Sequence, residues 1–93
     1  MIELEIRMGR RRGEVQILTD ILTITLNGVK VTHLMYKANL SYSTLRKYLA
    51  TALSQGLISN VGNGGSTVYH TTQKGRALLN ELRTVKEYLT VNA

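Results

Sequence analysis

The chain has 93 residues, with twelve Lys and Arg against six Asp and Glu, a formal net charge of +6, and no Cys, Pro, Trp or Phe. That length holds one domain. Hydrophobic residues make up 43% of it, which argues against disorder, and the absence of Cys excludes disulfides, dithiol redox chemistry and thiolate zinc sites.

Charge is unevenly spread. Arg7, Arg10, Arg11 and Arg12 cluster near the start, and between Asp20 and Glu81 there is no acidic residue. Lys30, Lys37, Arg46, Lys47, Lys74 and Arg76 fall in that gap. Such a stretch presents a positive field, whose natural partner is a polyanion: nucleic acid first, an acidic membrane surface second. The longest uncharged run, residues 48–73, is broken by Ser, Thr, Asn, Gln and four glycines, so no membrane span is expected. Glu3 and Glu5 stand where a secretory leader would be basic. With the missing Cys, this fits a reducing, cytoplasmic interior.

In chain order, Ile2, Leu4, Ile6 and Met8 alternate with Glu3, Glu5 and Arg7, the period of a strand. From Gly13 the period lengthens. Val15, Leu18, Leu22 and Leu26, widened by Ile17, Ile21 and Ile24, predict a helix over 13–26 with Asn27-Gly28 at its end. A competing hairpin reading pairs residues 23–26 with 29–31 across Asn27-Gly28. Thr32 is placed to cap a short helix over 33–38, and Ser41 or Ser43 a longer one through Gln55, ended by Gly56. Residues 57–61 and 67–71 read as two strands around the tip Gly62-Asn63-Gly64-Gly65-Ser66. Thr72 caps a last helix on which Leu78, Leu82, Val85 and Leu89 form a heptad seam, with Leu79 and Tyr88 beside it.

Helix, helix-turn-helix, hairpin and helix in that order make an α+β, mostly helical winged helix-turn-helix. It would have a basic arm or strand over 1–12, the winged domain over 13–72 and a dimerisation helix over 73–93. In such a domain the second helix of the pair enters the major groove. At 100° per residue, setting Leu45, Leu49 and Ala52 inward points Ser43, Lys47, Ala50 and Ser54 away, with Arg46 and Thr51 on the flanks and Thr44 near the edge. Ser43, Thr44, Arg46 and Lys47 are therefore the base- and phosphate-facing candidates. Arg10, Arg11, Arg12 and Lys37 are candidates for phosphate, and the wing residues Asn63, Gly64 and Ser66 for close approach to the duplex. The seam of Leu78, Leu82, Val85 and Leu89 would pair two chains, parallel or antiparallel. Alternatively, it packs back on the chain's own first helix.

His33 and His70, with no Cys, make a poor metal set, and the carboxylates show no acid–base pairing. No enzyme activity, metal, cofactor or small-molecule substrate is expected. A winged-helix protein-interaction module without DNA binding is the alternative function, and a single-stranded or RNA-binding role is third.

Taken together, certain residues resemble the archaeal winged-helix chromatin proteins of the Sulfolobus 10a type and related archaeal transcriptional regulators. They are Arg11-Arg12-Gly13, Asp20-Ile21-Leu22, Val31-Thr32, Tyr36 and Ala38-Asn39-Leu40-Ser41-Tyr42. They continue with Lys47-Tyr48-Leu49, Gly56-Leu57-Ile58, Tyr69 and Thr72-Gln73-Lys74-Gly75. The resemblance spans about residues 11–90. It implies a homodimer joined by an antiparallel coil of C-terminal helices, and double-stranded DNA as partner in an architectural or regulatory role. It also implies a DNA-contacting helix over 41–55 and a wing over 62–66. Two departures stand out: a last helix shorter than the resemblance implies, and the segment 1–8, which has no counterpart in it.

Overall fold

A computed structural model of the chain describes residues 12–63 and 66–91. The first helix, α1, spans Glu14–Ile24 and runs into a 3-10 turn, Thr25–Asn27. A two-residue strand β1, Val29–Lys30, leads directly into α2, Val31–Ala38. Then come α3, Tyr42–Ser54, the strands β2, Ile58–Val61, and β3, Val68–Thr71, and the long α4, Gln73–Val91.

The strands form one antiparallel sheet in the order β1-β3-β2. Ile58 pairs with Thr71 and Val61 with Val68 across the wing. On the other side of β3, Val29 pairs with Tyr69 and Lys30 with Val68. The expected two-stranded wing is present as β2 and β3, and β1 extends its sheet by a third strand. The strand that the hairpin reading expects over residues 29–31 exists as Val29–Lys30, but not paired with residues 23–26. β1 joins β3, while residues 23–26 complete α1 and its turn.

Ends of elements follow local chemistry. Ser41 is the N-cap of α3, its hydroxyl oxygen accepting from the Thr44 N–H at 3.2 Å. At the far end, Gly56 at φ +75° lets its N–H reach the Leu53 carbonyl and the Leu57 N–H reach Ala52. This closes the helix with a left-handed residue that favours glycine. Asn39, at φ 57°, ends α2 by the same geometry, with the Leu40 N–H on the Met35 carbonyl. Thr32 is not a cap: α2 starts two residues earlier than expected, at Val31, with Lys30 at the N-cap and no side-chain bond there.

Ile21, Leu22, Leu34, Leu45, Ile58 and Leu79, from four helices and β2, are fully buried together. Each such side chain contributes about 2 kcal/mol on leaving water. The core also holds a polar link. The Thr71 hydroxyl lies 2.7 Å from the Leu22 carbonyl and 2.6 Å from the Thr25 hydroxyl. Thr25 in turn donates to Ile21 at 2.9 Å. β3 is thereby tied to the C-terminal end of α1, and the carbonyls freed where α1 stops are satisfied.

Candidate nucleic-acid interface

The inner face of α3 buries Leu45, Leu49 and Ala52 against the core. Ser43, Arg46, Lys47, Ala50, Thr51 and Ser54 are exposed, and Thr44 is half-buried at the edge. This is the division that helical spacing imposes. All six cations between Asp20 and Glu81 are exposed. The positive field of that stretch therefore faces solvent.

Much of the hydroxyl content of the outer face is already engaged. Ser41 donates to the Thr44 hydroxyl oxygen at 2.9 Å. The Thr51 hydroxyl donates back to the Lys47 carbonyl at 3.2 Å, and that of Ser54 to the Thr51 carbonyl at 3.0 Å. Arg46 is held differently. Its guanidinium carbon lies 5.7 Å from the centre of the Tyr42 ring, in cation–π range. Tyr42 is 53% exposed and stands one helical turn before Arg46. Sequence reasoning did not pair them, although an aromatic four residues before an arginine at a helix start is a readable signal.

The other expected sites divide clearly. Arg12, grouped with the phosphate-facing candidates, is occupied inside the fold. Its Nη1 meets Asp20 Oδ2 at 2.8 Å, and its Nη2 donates to the carbonyls of Ala38 at 2.6 Å and Asn39 at 3.1 Å. Gln16 holds the other carboxylate oxygen of Asp20 at 2.8 Å. Arg12 thus closes the C-terminal end of α2 and clamps it to α1, using a planar fork that a lysine lacks. Lys37 is exposed on the last turn of α2. At the wing, the Ser66 N–H donates to the Asn63 carbonyl at 2.9 Å, which closes the tip. Arg10, Arg11, Gly64 and the alternating segment 1–8 lie outside the described residues.

The motif Thr72-Gln73-Lys74-Gly75 joins α4 to the end of α3. The Thr72 hydroxyl donates to the Gly56 carbonyl at 2.6 Å and accepts the Gly75 N–H at 3.0 Å. Lys74 Nζ donates to the Gln55 carbonyl at 2.8 Å. A Cβ at Gly75 would collide with the Leu57 carbonyl oxygen and come within 2.7 Å of Thr71 Cγ2. Only glycine lets the two backbones approach this closely.

Along α4 the predicted seam splits. Leu79 is in the core and Leu78 packs against it. Leu82 is half-buried, and Arg83 reaches Thr23 on α1 at 3.4 Å. Beyond that point Val85 is 55% exposed and Leu89 65%. The first half of the helix does pack on α1, so the surface left for another chain is shorter than the sequence pattern suggested.

A cleft of about 590 Å³ lies between the start of α1 and α3, lined by Val15, Leu18, Tyr48, Ala52 and Leu57 with Lys47 at its edge. Among the described residues no cluster of His, Asp or Glu could hold a metal ion. No helix among them is long and apolar enough to cross a membrane.

Known structures carry the same arrangement. The crystal structure of Sso10a-2, a DNA-binding protein from Sulfolobus solfataricus, superposes with a TM-score of 0.71 at 26% identity, over 87% of this chain and 88% of that one. The likeness to the archaeal 10a type that the sequence motifs carry is therefore present in three dimensions as well. A MarR family transcriptional regulator from Silicibacter pomeroyi DSS-3 shares the fold at 15% identity, with a TM-score of 0.67 over 98% of this chain and 67% of that one. No curated protein sequence matches the chain. Residues 11–90 match the family model described as winged helix-turn-helix, and the chain belongs to that family.

Proposed function

We propose that this protein binds double-stranded DNA as a homodimer and acts as a transcriptional regulator or architectural chromatin protein, by binding rather than catalysis. The observation that carries this reading is the outer face of α3. It presents Ser43, Arg46 and Lys47 to solvent within a stretch that has no carboxylate from residue 21 to 80. A major groove is wide enough to admit a helix of this kind. With α3 in the groove, Ser43, Thr44, Arg46 and Lys47 face the bases and nearest phosphates. Lys37, Arg10 and Arg11 serve the flanking backbone, and the wing tip of Asn63, Gly64 and Ser66 lies alongside. The similar Sso10a-2 is itself a DNA-binding protein.

Val85 and Leu89 supply the contact between subunits, on the part of α4 that its own domain leaves exposed. Two α3 helices on one duplex multiply affinity through effective concentration.

Gel shift of mixed-sequence duplexes over a salt series tests the reading. Affinity should fall about a thousandfold between 50 and 200 mM salt if six or more phosphates are met. A flat salt response, or no shift at low salt, would contradict it and favour the protein-interaction module instead. Leu89→Glu should leave the fold intact, convert the dimer mass to that of a monomer and weaken duplex binding. An unchanged monomer mass in both proteins would remove the dimer from the proposal.

A further inference from the structure

The outer face of α3 carries few groups that could read a base. Ala50 has no polar side-chain atom. The hydroxyls of Thr51 and Ser54 donate to the helix's own carbonyls, and Thr44 closes the N-cap with Ser41. Ser43 has a short side chain that lies 3.4 Å from Ser41 Oγ. Lys47 offers a point charge without a fixed direction. Arg46 alone has a planar fork of N–H donors matched to the O6 and N7 acceptors of guanine.

Among the described residues, that fork meets no carboxylate. The four acidic residues of the described chain, Glu14, Asp20, Glu81 and Glu87, stand on α1 and α4. Arg46 instead lies over the ring of Tyr42. Helical side chains lean toward the N-terminus, and a contact through the ring face leaves the N–H edges of a guanidinium open. The pair sits at the start of α3, the end that a helix-turn-helix directs at base edges.

From this we infer that Tyr42 is a positioning residue that holds Arg46 as a reader of one guanine in each half-site. The inference rests on the duplex-binding reading and adds its specificity. A freely rotating arginine would spread its contacts among phosphates and several bases. One held over the ring meets a guanine with less ordering left to do. The phenol oxygen has no part in this, so the ring alone should suffice.

The test starts with duplexes that the full chain selects from a random pool at fixed salt. Affinity is then measured on the selected duplex and on the same duplex with 7-deazaguanine, which keeps its pairing but lacks N7. For the wild-type chain the substitution should weaken binding by about fivefold or more, the scale of a bidentate base contact. Arg46→Lys should bring that ratio close to one. Tyr42→Leu should cut it about two- to fivefold, the scale of an exposed cation–π contact, and Tyr42→Phe should leave it unchanged. Unchanged thermal unfolding of the variants separates these effects from folding. Three results would overturn the assignment while duplex binding stands: selection without guanine enrichment, a Tyr42→Leu ratio equal to wild type, or an equal loss in Tyr42→Phe. No duplex binding by the wild-type chain would overturn the reading beneath it.

Discussion

The two ends of α3 are treated oppositely by the rest of the chain. At the C-terminal end, Thr72 holds the Gly56 carbonyl, Lys74 holds that of Gln55, and Gly75 lets α4 lie against Leu57. The carbonyls of Gln55 and Gly56, just past the helix, are thus taken up by α4 and its cap. At the N-terminal end, among the described residues, the side-chain bonds are the local ones of Ser41, Ser43 and Thr44, and Tyr42 and Arg46 are exposed. A helix held at one end and open at the other is built to present its open end. The same contrast separates two arginines: Arg12 spends its guanidinium on Asp20 and two carbonyls, whereas Arg46 rests on an aromatic face.

The held end can be broken most severely at Gly75. Gly75→Ala places a methyl group against backbone that cannot give way, and overpacking of this kind costs about 3 kcal/mol. Thermal unfolding should fall by about 10 °C or more for a domain of this size. A variant that melts within a degree or two of the parent would show that the approach of α4 to Leu57 is slack.

Next in size is Arg12→Ala. Hydrogen bonds to charged groups are worth about 1.5–3 kcal/mol each when neither partner is fully solvated. This residue is half-buried, so a loss of about 2 kcal/mol is expected by denaturant titration. Arg12→Lys should recover only part of it, because an ammonium cannot reproduce the fork. Duplex affinity, measured where the variant is fully folded, should change little. A large binding defect with full stability would return Arg12 to the phosphate-contacting set.

The open end gives the smallest stability effect. Ser41→Ala removes the N-cap of α3 and should cost about 1 kcal/mol. An Asp at the same position should keep the capping bond and restore stability, while placing a negative charge at the duplex-facing end. Ser41→Asp should therefore melt close to wild type and bind duplex more weakly.

The helices and the wing were legible because their signals are local and redundant. Ser41 and Gly56 bracket α3, and Leu45, Leu49 and Ala52 fix which side is inward. β1 was not legible as the third strand. Two residues carry no periodicity, and their partner Tyr69 lies forty residues away. The seam on α4 was legible as an apolar stripe, but its division was not. A heptad spacing does not reveal that Leu78 belongs to the chain's own core while Val85 and Leu89 stay outside. A run of arginines looks alike in sequence, and Asp20 and the end of α2, brought together by folding, set Arg12 apart. The Thr25–Thr71 link was hidden for the same reason: each threonine reads as an ordinary element end until the sheet closes on α1.

The measurement that bears most directly on the account is the salt dependence of duplex affinity for the wild-type chain beside the Arg46→Ala, Lys47→Ala double variant. Both side chains are exposed, so the variant should unfold at the wild-type temperature. It should bind duplex at least tenfold more weakly at low salt, and its log–log salt slope should be shallower by about one for each phosphate it no longer neutralises. An affinity and slope equal to wild type would place the nucleic-acid surface away from the outer face of α3 and contradict the account.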